Sequence, residues 1–270
     1  MNGTDDLQPD DEADDGESLS ASLEDLANSV RERQGKKRRS DDKGRREDNS
    51  FEWVNVPEQE ETQTTDSIPF ETIDDASDVL VLGPVQGADC DRNCTALLSY
   101  AVPDRTNILA VTVTRSANDW LSMWQRYSSG SPASMVVVSL GEETGGAPAS
   151  TTISTQSGPE QITIETVSDP SDLTRLGITL SRLISDISTE EERTAVCVHS
   201  LTALLQYVEP RRLFRFLHIF RGKLSSVDAM AHYHMDPDAH DKQTVGVFRS
   251  LFDTVVRITD DGDLEIVSAP

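Results

Sequence analysis

Lysine, cysteine and aromatic residues are scarce in this 270-residue chain. Its three cysteines, Cys90, Cys94 and Cys197, are too few for a disulfide framework at this length. The N-terminus has no apolar segment of the signal-peptide kind, and no apolar run approaches the roughly 20 residues that cross a bilayer. We therefore expect a cytoplasmic protein with no membrane segment.

Acidic residues dominate the charge. Asp and Glu number 48 against 24 Lys and Arg, which gives a net charge of −24. A field of this sign repels phosphate, so a general nucleic-acid surface is disfavoured. Only five of the cations are lysines. Asp-rich, Lys-poor surfaces are typical of salt-adapted proteins, in which concentrated salt screens the repulsion between like charges, so the composition predicts a halophilic source.

The charged and apolar residues are unevenly distributed. Residues 1–76 hold 23 acidic and 9 basic side chains and few aliphatic ones, too little apolar surface to offset the chain entropy of folding. We predict a disordered acidic arm over 1–76, with a short amphipathic helix near 20–33 and a basic run at 31–46. Residues 77–270 are rich in Val, Ile and Leu and long enough for one sizeable core.

Strand-like and helical stretches alternate through the second segment. Strands are predicted at 79–82, 108–113, 135–140, 162–167, 195–198, 227–233, 254–258 and 263–267. Helices are predicted at 91–102, 116–127, 170–187, 201–208, 210–221 and 237–252. A Gly/Ser/Thr/Pro-rich stretch at 141–160 is predicted to be a surface loop. The alternation indicates a three-layer α/β fold, with a mostly parallel sheet and helices on both faces, whose ligand crevice lies beyond the strand C-termini.

The first strand leads into a glycine-containing loop and then a helix, the layout of a phosphate-binding loop. A working loop reads G-x-x-x-x-G-K-[ST], with the lysine on the phosphates and the hydroxyl on Mg²⁺. Counted from Gly83, the second glycine position is Ala88, the lysine position is Asp89 and the hydroxyl position is Cys90. Starting at Gly87 restores no Gly-Lys pair. Asp89 thus puts negative charge where a triphosphate needs positive charge.

The apolar strand predicted at 195–198 is followed by His199 and then by Ser-Leu-Thr-Ala-Leu-Leu, which begins at Ser200. This segment resembles the strand-then-Asp-Ser segment of KaiC/RecA-family ATPases, where a carboxylate closing the strand helps to hold Mg²⁺. Here His199 takes the place of that carboxylate. Further similarity lies at 172–178, 231–240 and 252–256. Over about residues 76–260 the chain resembles the inactivated KaiC-like proteins of haloarchaea, which implies an archaeal source.

The resemblance implies a RecA/KaiC-like P-loop fold that has lost its phosphate-binding and metal-binding residues together. Phosphoryl transfer depends on positioning and on charge neutralisation by Lys and Mg²⁺, so we predict no ATPase activity, no catalytic residue and no cofactor. A non-catalytic regulatory or scaffolding role in signal transduction follows, with protein partners that the residues do not name. Two alternatives stay open: residual nucleotide binding through Arg92 or Arg115, and nucleic-acid regulation through the basic run 31–46.

Histidines and acidic residues concentrate near one strand end. His232, His234 and His240, with Asp236 and Asp238, have the side chains of a metal cluster. We favour a simpler interpretation, a polar strand end followed by a helix that Asp236 caps.

The cysteines are also predicted to lack a metal. Cys90 and Cys94 are about one helical turn apart, but no second Cys/His pair at ligand spacing accompanies them. Cys94 and Cys197 are expected to be small core residues. His199 has the chemistry of an acid/base group, but we expect a strand-end histidine hydrogen-bonded to a neighbouring loop.

Overall fold

The computed structural model describes residues 78–99, 103–113, 115–141, 150–154 and 161–267. The predicted arm, with its helix near 20–33 and its basic run at 31–46, lies outside these residues. The boundary predicted at residue 76 therefore stays a prediction. Among the described helices, none has the length and apolar content to cross a membrane.

The described residues form nine strands and six α-helices. The strands are β1 Asp78–Leu82, β2 Thr106–Thr112, β3 Ser134–Leu140, β4 Ser150–Ser154, β5 Gln161–Val167, β6 Arg193–His199, β7 Met230–Met235, β8 Thr254–Ile258 and β9 Leu264–Val267. The helices are α1 Ala88–Leu98, α2 Ala117–Tyr127, α3 Leu173–Ile187, α4 Leu201–Leu204, α5 Pro210–Ser225 and α6 Lys242–Arg249. Two 3₁₀ turns, Pro103–Arg105 and Pro237–Ala239, complete them.

All nine strands belong to one sheet, in the order β4-β5-β3-β2-β6-β7-β1-β8-β9. The inner strands pair in parallel, and only the two edge strands, β4 and β9, are antiparallel to their neighbours. Because β6, β7 and β1 are neighbours and parallel, their C-terminal ends lie side by side at one edge of the sheet.

Side chains alternate between the two faces of the sheet, as the strand period of two requires. Leu80 and Leu82 of β1 face a core that includes the apolar residues of α3 and α5. On the other face, Ala110 and Cys197 pack with the apolar residues of α1 and α2. Helices therefore cover both faces, which confirms the predicted three-layer α/β class.

The predicted loop at 141–160 is wrong in part, because it contains β4. Thr151 of this strand pairs with Ile164 of β5 in an antiparallel register. Thr151 and Thr152 are exposed. A polar edge strand has no apolar run or hydrophobic alternation, so its composition resembles that of a loop.

Several element boundaries also differ from the prediction. The helix predicted at 91–102 is α1 Ala88–Leu98, and α4 covers only Leu201–Leu204 of the helix predicted at 201–208. The helix predicted from residue 170 begins at Leu173, after an N-cap at Asp172. The helix predicted at 237–252 is a 3₁₀ turn followed by α6, which starts after its own cap at Asp241. The strand predicted from residue 227 begins at Met230, because α5 continues to Ser225. At the two helix starts, capping by Asp172 and Asp241, rather than apolar periodicity, determines the boundary.

Candidate functional site

The candidate site begins at the C-terminal end of β1, where the strand–loop–helix layout of a phosphate-binding loop is present. Gly83 follows the strand, and Gly87 is the N-cap residue of α1. Gly87 has φ +112°, a conformation that favours glycine. Ala88, at the predicted second glycine position, is the first residue of α1.

Carboxylates occupy the first turn of α1, where phosphate oxygens would bind. Asp89 pairs with Arg92 at 3.0 Å, and both side chains are about half exposed. Asp91 pairs with Arg115 at 2.6 Å, and both of these side chains are less than one-fifth exposed. These carboxylates already occupy the positive end of the helix dipole, which a phosphate would otherwise use. The two arginines considered for nucleotide binding are therefore both paired with carboxylates of the chain.

The turn between β8 and β9 packs against the same helix end. Asn93 of α1 donates a hydrogen bond from Nδ2 to the carbonyl oxygen of Gly262 at 2.8 Å. Gly262 has φ +85°, and a Cβ added there would lie 2.7 Å from Oδ1 of Asp89. The hairpin thus contacts the part of α1 that carries the acidic side chains.

An open cleft of about 490 Å³ lies beside the loop, and its charged lining is balanced in sign. It is lined by Asp91 and Asp119 and by Arg115 and Arg126, together with Gln86 and other residues. A larger cavity, of about 930 Å³, lies at the opposite edge of the sheet beside Glu190, Glu191 and Glu192. That cavity is not adjacent to the phosphate-loop positions.

Six cysteine and histidine side chains meet beneath α1, and we call them the Cys/His cluster. They are Cys90, Cys94, Cys197, His199, His232 and His234. Cys90 and Cys94 are four residues apart on α1, so both side chains lie on the same side of the helix, facing the sheet. The strand period of two places the Cys-x-His of β6 and the His-x-His of β7 on the face that α1 covers. Each of the six side chains is at most 3% exposed.

Short contacts connect the members of the cluster. Sγ of Cys90 lies 3.5 Å from Nε2 of His199 and 3.6 Å from Nδ1 of His234. Sγ of Cys94 lies 3.4 Å from Nε2 of His232 and 3.3 Å from Sγ of Cys197. His234 is central, because its ring is 4.8 Å from that of His199 and 5.1 Å from that of His232, centroid to centroid.

Burial keeps four members of this cluster neutral. Desolvation, assisted by the positive charge of Arg115, lowers the pKa of His199 to about 3. Burial also holds the pKa of His234 well below its usual value. Desolvation raises the pKa of the Cys90 thiol. The pKa of the Cys94 thiol is raised mainly by its hydrogen bond with Cys197, and burial adds to this effect. Without a bound cation, Cys90 and Cys94 are therefore neutral thiols, and His199 and His234 are neutral imidazoles.

Within the described part of the chain, His199, at the position predicted for the metal-binding carboxylate, does not form the expected hydrogen bond to a neighbouring loop. His199 ends β6 and faces Cys90, the residue at the hydroxyl position of the phosphate loop. The expected hydrogen bond to a neighbouring loop is thus replaced by a contact between two predicted site positions. Ser200 is buried and caps α4 by accepting a hydrogen bond from the backbone N–H of Ala203 at 3.2 Å.

The alternative metal cluster of His232, His234 and His240 does not form, because the fold places His240 away from the other two histidines. His240 contacts Oγ1 of Thr202 at 3.1 Å, and Asp236 caps the 3₁₀ turn that follows β7 rather than the predicted helix, whose cap is Asp241. His232 and His234 instead face the cysteines.

The Cys/His cluster has a signal in the sequence, and its three parts are far apart along the chain. It consists of Cys-x₃-Cys on a helix, Cys-x-His at the end of one strand and His-x-His in another. Only the neighbouring positions of β6 and β7, where Cys197 lies opposite His232, bring the three pairs together.

Comparison with known structures and families gives the following likenesses. The uncharacterised protein PH0321 from Pyrococcus horikoshii, solved with an unknown peptide, aligns at 10% identity and a TM-score of 0.45 over 72% of this chain and 84% of its own. The flagellar accessory protein FlaH from Methanocaldococcus jannaschii aligns at 12% identity and a TM-score of 0.39, over 71% and 78%. The type III secretion ATPase EscN from enteropathogenic E. coli aligns at 14% identity and a TM-score of 0.42, over 69% and 43%.

No curated protein matches the sequence. The profile of one family, described as a family of unknown function (DUF7504), matches residues 76–258. This match spans most of the chain and nearly all of the described sheet. The chain therefore belongs to the DUF7504 family.

Proposed function

We propose that this protein is a non-hydrolysing regulatory or scaffolding module built on a RecA/KaiC-like frame. The observation that carries the proposal is the acidic first turn of α1. Asp89 stands at the lysine position and pairs with Arg92, and Asp91 pairs with Arg115. A triphosphate bound there would have to compete with two carboxylates for both arginines.

The two Mg²⁺ positions of the resembled family support the same conclusion. They are occupied by Cys90 and His199, whose side chains are 3.5 Å apart and buried. Mg²⁺ prefers oxygen ligands and retains several of its waters, so a dry thiol–imidazole pair is a poor site for it.

The surface of α5 suits the scaffolding role. Ile219 is 61% exposed on this helix, and Tyr207, just before the helix, is 55% exposed. Arg211, Arg212 and Arg215 are exposed on the same helix. Exposed apolar side chains beside arginines suit contact with an acidic protein partner, and arginine is frequent at such interfaces. We propose a place in signal transduction for this contact.

A thermal-shift titration with ATP and Mg²⁺ in molar KCl tests the proposal. We expect no change in melting temperature, whereas a ligand present at 100 times its Kd would stabilise the fold by about 2.7 kcal/mol. A saturable rise that is lost in Arg115→Gln and kept in Arg126→Gln would show a nucleotide site and contradict the proposal. Arg126 lines the same cleft, so this comparison separates a specific contact from a general charge effect.

A further inference from the structure

Four members of the Cys/His cluster have the composition of a tetrahedral zinc site. Cys94 comes from α1, Cys197 from β6, and His232 and His234 from β7. The four ligand atoms all lie within 4.8 Å of one another, and all four side chains are buried. We propose that Cys94, Cys197, His232 and His234 bind one zinc-type metal ion in the core of this protein. This proposal is independent of the regulatory role argued above.

The observed contacts are close to those that zinc requires. Zn–S bonds of about 2.3 Å and Zn–N bonds of about 2.0 Å in a tetrahedron place two sulfurs about 3.8 Å apart, and a sulfur and a nitrogen about 3.5 Å apart. Cys94 Sγ lies 3.3 Å from Cys197 Sγ and 3.4 Å from His232 Nε2. Shifts of a few tenths of an ångström at the sulfurs satisfy these two edges of the tetrahedron.

Charge balance favours this set of donors. Zn²⁺ replaces the thiol protons of Cys94 and Cys197, so two S–H bonds break, two S–Zn bonds form, and two protons leave to water. The two thiolates cancel the charge of the ion, and the imidazoles of His232 and His234 bind as neutral ligands. The resulting complex has no net charge, which makes its burial far less costly than that of an isolated cation.

One histidine nitrogen of the set also lacks any other partner. Nε2 of His234 is buried and has no hydrogen-bond partner among the residues that the structure describes. Without an ion this polar atom of the core stays unsatisfied, which native cores generally avoid. Polar side chains in this state, converging on one point of an otherwise apolar core, are typical of a ligand site.

A second set, Cys90, His199 and His234, shares one histidine with the first. Its three donors include one thiol, so a bound Zn²⁺ would keep a net positive charge in a buried position. The four-donor set is therefore the better site for a divalent ion.

The experiment uses the full chain, purified with a phosphine reductant and without chelator from cells supplied with zinc. Elemental analysis should find one zinc per chain. Refolding with Co²⁺ should give the thiolate-to-cobalt charge-transfer band and the visible bands of tetrahedral cobalt. Cys94→Ser and Cys197→Ser should each weaken metal binding by about 100-fold or more. Cys90→Ser and the exposed-helix control His218→Gln should keep the ion, and circular dichroism should show that the variants are folded.

Three outcomes would overturn the proposal. The first is wild-type protein with no stoichiometric zinc and no tetrahedral cobalt spectrum. The second is loss of the ion in Cys90→Ser with retention in Cys94→Ser, which would place it in the three-donor set. The third concerns protein that is purified without reductant and contains no metal. A Cys94–Cys197 disulfide in this protein, detected by mass spectrometry, together with no metal uptake after reduction, would contradict the proposal. If the serine variants do not fold, the metal content and cobalt spectrum of the wild type decide.

Discussion

At the scale of single residues, Asp78 shows how one buried charge joins two layers of the fold. It is the first residue of β1, and it is 2% exposed. Arg221 of α5 donates from Nε to Oδ2 of Asp78 at 2.7 Å, and Tyr233 of β7 donates from its hydroxyl to Oδ1 at 3.1 Å. Burial raises the pKa of Asp78, while the pairing with Arg221 opposes that rise. The carboxylate thus depends on its arginine to remain charged in the core.

Replacing that arginine should be costly. Arg221→Ala leaves Asp78 without its cation and removes the contacts of Arg221 with Asp253 and with the carbonyl oxygen of Leu251. We expect the free energy of unfolding to fall by about 3 kcal/mol, measured by urea denaturation. Arg212→Ala, an exposed position on the same helix, should change it by less than about 0.5 kcal/mol. Equal effects of the two substitutions would mean that the ion pair contributes little.

At the scale of elements, side-chain caps determine where helices begin. Asp172 precedes α3, and its Oδ1 accepts a hydrogen bond from the backbone N–H of Arg175 at 2.9 Å. Asp172→Ala should destabilise the protein by about 1 kcal/mol, because that N–H loses its partner. Asp172→Asn keeps an acceptor and should remain near wild type in the same denaturation experiment. A loss as large in Asp172→Asn would assign the effect to charge rather than to capping.

Glycines in different elements should respond with opposite signs to the same substitution. Gly222 lies in α5, where an added Cβ meets no atom within 4 Å. Gly222→Ala should therefore raise the free energy of unfolding by about 0.5–1 kcal/mol. Gly262→Ala should lower it by about 1 kcal/mol or more, because its φ of +85° and the nearby Asp89 oppose a Cβ. Calorimetry of both variants checks the two signs together.

At the scale of the whole molecule, the net charge of −24 determines the response to salt. Repulsion between like charges opposes compaction, and salt screens it over a Debye length of about 10 Å at 0.1 M and about 3 Å at 1 M. We expect the melting temperature to rise by several degrees between 0.1 M and 2 M KCl. A melting temperature that stays constant or falls over this range would contradict the prediction.

Much of the sheet could be predicted because its central strands have continuous apolar runs. Val79–Leu82 and Ala195–Val198 are buried on both faces, so their composition alone identifies them as central strands. The edge strand β4 could not be found in this way, because its consecutive residues Thr151 and Thr152 are polar and exposed, one on each face of the strand. The first residues of α3 and α6 are Leu173 and Lys242. Where each helix begins depends on which of several nearby polar residues forms the cap.

The amino-acid sequence by itself determined the α/β class, the acidic character of the chain and the absence of lysine and hydroxyl side chains at the phosphate-loop positions. These properties follow from residue type and local spacing. Only the tertiary structure decided that Cys90 contacts both His199 and His234, at 3.5 and 3.6 Å, and that Cys94 meets Cys197 and His232. Cys90 and His199 are 109 residues apart in the chain, and Cys94 and His232 are 138 apart. Contacts over such separations depend on strand order and on the placement of α1 across β6 and β7, which local spacing does not encode.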